Sequence, residues 1–202
     1  YRRLRSQFTP ERPLYPMFDA ASSYVDANNA FWVGLFDDRG TLVHTQALRC
    51  IDLGQDTLAV HLEKHHMKYV TPGATPEPQG AIFTVSNGAD SITGRACYLG
   101  EFWLCRDYGE LRGTGMTTLL SRLSFELSYE AWRPDYQWAL IEAKHAVSGL
   151  HARYGYVHAA PGQWLDAGGT VFSDEWLLWM SHDDIQALIR TPVETIPKIL
   201  DQ

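Results

Sequence analysis

The chain has 202 residues, 45% of them hydrophobic and 20% charged, enough for one folded domain with a sizeable core and too apolar for a disordered segment. Its 24 acidic residues against 17 Lys plus Arg leave a formal charge of −7, with no basic stripe beyond the opening YRRLR, so no nucleic-acid partner is expected. No apolar run reaches the roughly 20 residues that cross a bilayer and no secretory signal opens the chain, so no membrane partner is expected and the compartment is read as cytoplasmic. Cys50, Cys97 and Cys105 cannot all pair, and the last two lie on one extended stretch roughly 27 Å apart at about 3.3 Å per residue, which points to reduced thiols.

In chain order, a polar, Pro-punctuated opening leads into FDAASSYVDANN, predicted as a short helix from about Phe18 to Asn28. The runs AFWVGLF and TLVHTQALRCI flank Asp37 to Gly40 and read as a hairpin. Thr57 to Tyr69 is predicted helical, with Leu58, Leu62 and His65 on one side, and TPGATPEPQG is read as a surface loop. A strand near Ala81 to Val85 precedes a long extended run from Ile92 to Arg106. Then Met116, Leu119, Leu120, Leu123, Leu127 and Ala131 recur at the spacing of an amphipathic helix that ends near Trp132, and they mark its expected core face. QWALIEA is a buried strand, Ala146 to Tyr154 a short helix, and a further strand begins near Val157. This alternation is a crossover that brings the strand ends before Arg112 and after Ile141 side by side. SHDDIQALIRTPVETIPKIL reads as a helix followed by a Pro-rich tail of unreadable role.

At the start of the Met116 helix stands ELRGTGMTTLL, in which two glycines follow an arginine. They form either a plain turn or an anion cradle, where amides of Gly113, Thr114, Gly115, Met116 and Thr117 converge on a diphosphate at the positive end of the helix, each bond contributing about 1.5–3 kcal/mol. The segment from Arg112 to Thr117 resembles the Q/R-x-x-G-x-G/A loop of the GNAT superfamily of acyl-coenzyme A-dependent N-acyltransferases, with Arg112 and Gly115 in register and Thr117 in place of the final Gly or Ala. LHARYGY is similar to the short helix that ends in LY-x-K-x-G-F in that family, with Leu150, Arg153, Gly155 and Tyr156 in register. The two segments stand in the right order, and the likeness covers roughly residues 92–160.

The resemblance implies an α+β, single-domain GNAT-like fold: a mixed central sheet with splayed central strands, flanked by helices on both faces. Within one domain over residues 1–202, acceptor-side elements would occupy 1–90, the acyl-CoA-binding core 91–160, and C-terminal strands and a tail 161–202. It also implies an enzyme that moves an acyl group, acetyl in the leading reading, from acyl coenzyme A to a small-molecule amine by direct attack in a ternary complex, with no metal. The donor-binding set is then Leu104, Cys105 and Arg106 at the end of the long strand, with Arg112, Gly113, Thr114, Gly115, Met116 and Thr117. Acyl transfer to an amine needs a held thioester, a deprotonated nucleophile and a proton for the departing thiolate. Where family members often carry a tyrosine acid, this chain has His151, and Tyr154 one turn later is the substitute donor. Glu101 and Glu142, each among apolar residues near strand ends, are the candidate bases, unless either points to solvent.

The N-terminal half is similar in rhythm to acyl-homoserine-lactone synthases and long-chain N-acyl amino acid synthases, and GEFWLCR is similar to the strand that precedes their acyl-carrier site. This implies a long-chain donor on acyl carrier protein, docked at Arg106, Arg112 and Arg122. A third reading is a non-catalytic ligand-binding module of the same fold, and the assembly allowed for is a homodimer. His61 and His65 in HLEKHH have metal-ligand spacing without a third ligand and read as a solvated helix face. Among seven tryptophans, Trp132, Trp138 and Trp179 are expected to pack the sheet, and others could line an acyl or acceptor pocket.

Overall fold

The computed structural model describes residues 1–8, 13–70, 80–85, 88–105, 107 and 115–192. Alternating apolar and β-branched residues build seven strands: β1 (Ala30–Phe36), β2 (Leu42–Asp52), β3 (Ile82–Val85), β4 (Arg95–Leu104), β5 (Tyr136–Glu142), β6 (His158–Leu165) and β7 (Val171–Ser181). They form one sheet in the order β1-β2-β4-β5-β7-β6-β3, antiparallel throughout except for the parallel β4–β5 pair at its centre. A parallel pair requires a crossover, and α3 (Met116–Trp132) supplies it.

The remaining helices are α1 (Arg2–Phe8), α2 (Leu58–His65), α4 (Ala143–Val147), α5 (Leu150–Tyr154) and α6 (His182–Arg190). The start of α6 is fixed by a capping box in which Ser181 and Asp184 each accept from the other's backbone N–H. Two cores lie on opposite faces of the sheet. One gathers Met17, Phe18, Leu58, Tyr69, Tyr98, Trp138 and Trp164. The other gathers Leu99, Phe125, Ala139, Tyr156, Leu178 and Ile185 under α3, α5 and α6. This is the mixed sheet covered on both faces that the resemblance implied. None of the helices among the described residues is long and apolar enough to cross a membrane.

Three local expectations are corrected. Residues 18–28 are not a helix: a single 3-10 turn, Pro16–Phe18, is followed by turns in which Asp19 accepts from the Ala21 amide at 2.9 Å and Asp26 accepts from the amides of Asn28 and Asn29 at 2.9 and 3.1 Å. Short acidic side chains have captured the amides a helix would have used. The predicted helix 146–154 is two helices, broken where Gly149 adopts φ +79°. The largest correction concerns α3, whose core face is not the leucine stripe. Leu119, Leu123 and Leu127 are exposed, whereas Thr117, Ser121, Ser124, Phe125 and Ser128 are buried with Leu120. Ser124 donates to Gln46 of β2 at 2.8 Å, and buried Gln137 of β5 donates to Ser128, so hydroxyls and amides satisfy one another beneath the helix.

Candidate active site

The site is made by an opening in the sheet. Strands β4 and β5 pair only at Ala96↔Tyr136, Cys97↔Gln137 and Tyr98↔Trp138, and then part. The cause lies on the other side of β4, where its register with β2 slips: Gly100 faces Ala47 and Trp103 faces Thr45, so Glu101 and Phe102 together stand opposite Gln46. Glu101 takes φ +57°, one of two positive values among described non-glycine residues, and this bulge turns β4 away while β5 stays on β7 as far as Glu142↔Glu175.

Between the parted strands lies a cavity of about 360 Å³. Its walls include Leu99, Ala139 and Tyr156 from one core and Phe18, Tyr98 and Leu140 from the other, so it passes from face to face through the sheet. Aromatic wall comes from tyrosines 15, 98, 154 and 156 with Phe18 and Phe102, and no tryptophan is among the described lining residues. The tryptophans that could have lined a pocket do not, and its aromatic wall is Tyr and Phe. Trp138 and Trp164 are fully buried in the core instead.

Glu101 lies in this crevice, 4% exposed, and is not solvent-directed. The Arg5 guanidinium Nε donates to its Oε2 at 2.6 Å, and the Tyr15 amide donates to its Oε1 at 3.3 Å. Helix α1 thus delivers a buried cation to a carboxylate 96 residues away. Glu142 also lines the crevice but is exposed at its rim and ion-paired with Lys144, which corrects the expectation of a carboxylate embedded in apolar surroundings. Of the two acid candidates on α5, Tyr154 lines the crevice, its ring 4.9 Å from that of Phe102. His151 is not among the lining residues, and its ring is stacked 6.4 Å from Trp176 of β7.

Several residues at the crevice escaped the sequence reading: Arg5, Tyr15, Gln46, Ser121 and Glu175. Glu175 is 4% exposed and accepts from the indole Nε1 of Trp164 at 2.8 Å. The Ser121 and Tyr156 hydroxyls are buried against the cavity without a hydrogen-bond partner among the described residues. An unmet buried hydroxyl costs about 1–3 kcal/mol. Burial first, and then the neighbouring Tyr15, Glu175, Tyr69 and Glu101, drive the Tyr98 hydroxyl well above the ordinary tyrosine range. The Tyr156 hydroxyl is likewise driven up, by burial above all, so both stay protonated.

The expected donor-binding set divides. Arg106, Arg112, Gly113 and Thr114 lie outside the described residues. Gly115 is the residue before α3, with φ +77° and, among the described residues, no atom within 4 Å of where a Cβ would stand. Met116 is half-buried and Thr117 buried on the first turn. Leu104 and Cys105 close β4 away from the crevice lining, and the Cys105 amide is already bonded to the Val43 carbonyl at 2.8 Å. Arg122, expected on a basic docking patch, is buried instead, donating to Glu126 at 2.8 Å and to the Ile189 carbonyl at 2.9 Å.

The sequence matches no protein-family model and no curated protein. Among solved structures it is similar to a spermidine N-acetyltransferase SpeG chimera from Vibrio cholerae and hSSAT, with a TM-score of 0.51 at 9% identity over 91% of this chain and 93% of that one. It is similar also to FeeM, an N-acyl amino acid synthase from uncultured soil microbes, with a TM-score of 0.50 at 16% identity over 94% of this chain and 86% of that one. The chain shares the α+β fold of these two structures.

Proposed function

We propose that the protein is an N-acyltransferase that moves an acyl group from a coenzyme A thioester to the amine of a small molecule, both substrates meeting in the β4–β5 crevice. The observation that carries this reading is a cavity between the parted strands that reaches both faces of the sheet, with hydroxyls unmet among the described residues on one face and a buried carboxylate on the other. Donor and acceptor can then enter from opposite faces and meet in line, the positioning that makes a bimolecular step effectively unimolecular.

On the donor face, Gly115 and the first amides of α3 would hold the diphosphate, and Ser121 and Tyr156 would bond to polar atoms of the inserted arm. On the acceptor face, Glu101 accepts a proton from the incoming ammonium, directly or through one water, while Arg5 holds the carboxylate in place. The freed amine nitrogen forms a bond to the thioester carbonyl carbon, the carbon–sulfur bond breaks, the thiolate takes a proton from the Tyr154 hydroxyl, and the proton shed by the new amide nitrogen restores Tyr154, directly or through one water. Tyr154 is preferred over His151 because it lines the crevice.

A second reading, transfer of a long acyl chain from acyl carrier protein, is favoured by the apolar and aromatic wall, which exceeds what an acetyl group would fill. Titration calorimetry with acetyl-CoA, a long-chain acyl-CoA and free coenzyme A separates the readings. Micromolar acetyl-CoA binding is expected for the first, and a strong preference for the long chain for the second. Binding of none of them would overturn both and leave a non-catalytic module. Gly115→Glu, which sets a negative side chain at the open anion site, should abolish coenzyme A binding, whereas Gly115→Asn, tolerant of the left-handed backbone, should keep it.

A further inference from the structure

The two edges of the sheet are built differently. β3 closes one side with four residues, and β1 closes the other with seven, AFWVGLF, which hold no charge, no proline and no polar side chain. Exposed strand edges are ordinarily blunted by one of these devices, because their free amides and carbonyls are a template for another strand. No residue of β1 is buried, whereas Leu42 to Leu48 of the adjoining β2 are buried without a break. The Cys50 amide donates to the Asn29 carbonyl at 2.8 Å, so by the alternation of an antiparallel ladder Phe31, Val33 and Leu35 bond inward to β2. Trp32 and Gly34 therefore direct their amides and carbonyls outward, where neither has a partner among the described residues.

We infer that β1 is an interface for a second copy of this chain, paired antiparallel about a two-fold axis at Val33. A two-fold contact must be self-complementary, and side-chain size selects this register. Trp32 then faces the partner's Gly34, and Phe36 faces the partner's Ala30, large against small at each pair on the face where Trp32 packs on Tyr1. Gly34 is the position where a Cβ would stand 2.5 Å from the Trp32 ring, so the indole already lies over it. On the face where Phe31 stacks on Trp132, Val33 meets the partner's Val33 and Phe31 meets the partner's Leu35. A slip of one pair sets indole on indole or glycine on glycine. Beyond the strand, Asp37 and Asp38 fall opposite the partner's Asn29 and Asn28, so no two acids oppose each other. Seven residues a side fall short of the roughly 20–30 of a standard interface, which makes the dimer a reversible one. The β4–β5 crevice lies two strands in from this edge and stays open.

Sedimentation velocity of the full chain over a concentration series should show a monomer–dimer equilibrium with a Kd in the micromolar range. Trp32→Lys, at an exposed position, should raise that Kd about tenfold or more, since it sets two like charges about 7–8 Å apart on the diagonal of the new ladder. Mild oxidation should link two chains of Val33→Cys, whose positions face each other at the axis, in excess over the parent chain. Leu35→Cys should stay unlinked, because its two copies are displaced by four residues, about 13 Å at about 3.3 Å per residue. A monomer at every concentration, a dimer indifferent to Trp32→Lys, or a Leu35→Cys link that forms as readily as the Val33→Cys one would each overturn the assignment. If Trp32→Lys does not fold, the two cysteine variants decide the matter.

Discussion

Glu101 was visible in the sequence as a charged residue inside an apolar strand; its partner was not. Arg5 lies 96 residues earlier in a short basic opening that reads as a solvated end, and no local pattern links the two. Their burial makes the pair testable. Arg5→Ala leaves the Glu101 carboxylate buried without its guanidinium and should lower stability by about 3–5 kcal/mol in urea unfolding. An Arg5→Met, Glu101→Leu double variant should regain most of that loss while staying inactive, which separates the structural role of the pair from its catalytic one. The two α5 candidates divide on geometry that sequence spacing alone does not supply. Tyr154→Phe should lower turnover by about 10²-fold with little change in donor affinity, and His151→Phe should leave the rate near that of the parent chain; the reverse order in kcat would return the acid role to His151. Glu175 was missed because it follows Asp174 in VFSDEWLLW, and alternation alone does not say which of two adjacent acids faces inward. The ladder sets it opposite Glu142 at the crevice.

At the scale of elements, α3 and most strands followed from periodicity, whereas α1 and the turns at residues 18–28 did not, and neither did the orientation of α3. Leucine at every fourth residue marks an apolar face, but a helix lying over buried Gln46 and Gln137 needs small hydroxyl-bearing residues beneath it, and that demand prevailed. Leu123→Gln should therefore change stability by no more than about 0.5 kcal/mol, while Ser124→Leu, which overfills the interface and strands the Gln46 amide, should cost about 1–3 kcal/mol; chemical denaturation of both variants checks this. The β4 bulge was equally illegible. Its residues, Glu101 and Phe102, have no turn signature, and the slip is set by pairing with β2. The glycine-bearing start of α3 was legible because a residue at φ +77° favours Gly, whose rarity in helical patterns makes it stand out.

For the whole molecule, the crossover was readable from the order of elements, since a parallel β4–β5 pair can be joined only across the sheet, and the two covered faces followed from the family resemblance. The passage through that sheet was not, because it depends on where two strands stop pairing. Stability against pH is also a property of the whole chain. Burial lowers His44 and His61 from the ordinary 6.5 to about 4 each, so above pH 6.5 their contribution to stability is present in full. As pH falls from 6.5 through 4 the unfolded chain takes up protons at these two positions that the folded chain refuses, and stability is lost over that window. Urea midpoints at pH 7, 5.5 and 4.5 should fall for the parent chain, and less steeply for His44→Gln; equal slopes would exclude His44. The most direct measurement of all is a crystal structure of the full chain grown with coenzyme A. Expected is density for the diphosphate against the start of α3 and for the thiol-bearing arm between Leu99 of β4 and Ala139 of β5, ending near Tyr154 and Glu101. Coenzyme bound elsewhere on the surface, with the β4–β5 crevice empty, would contradict acyl transfer at this site.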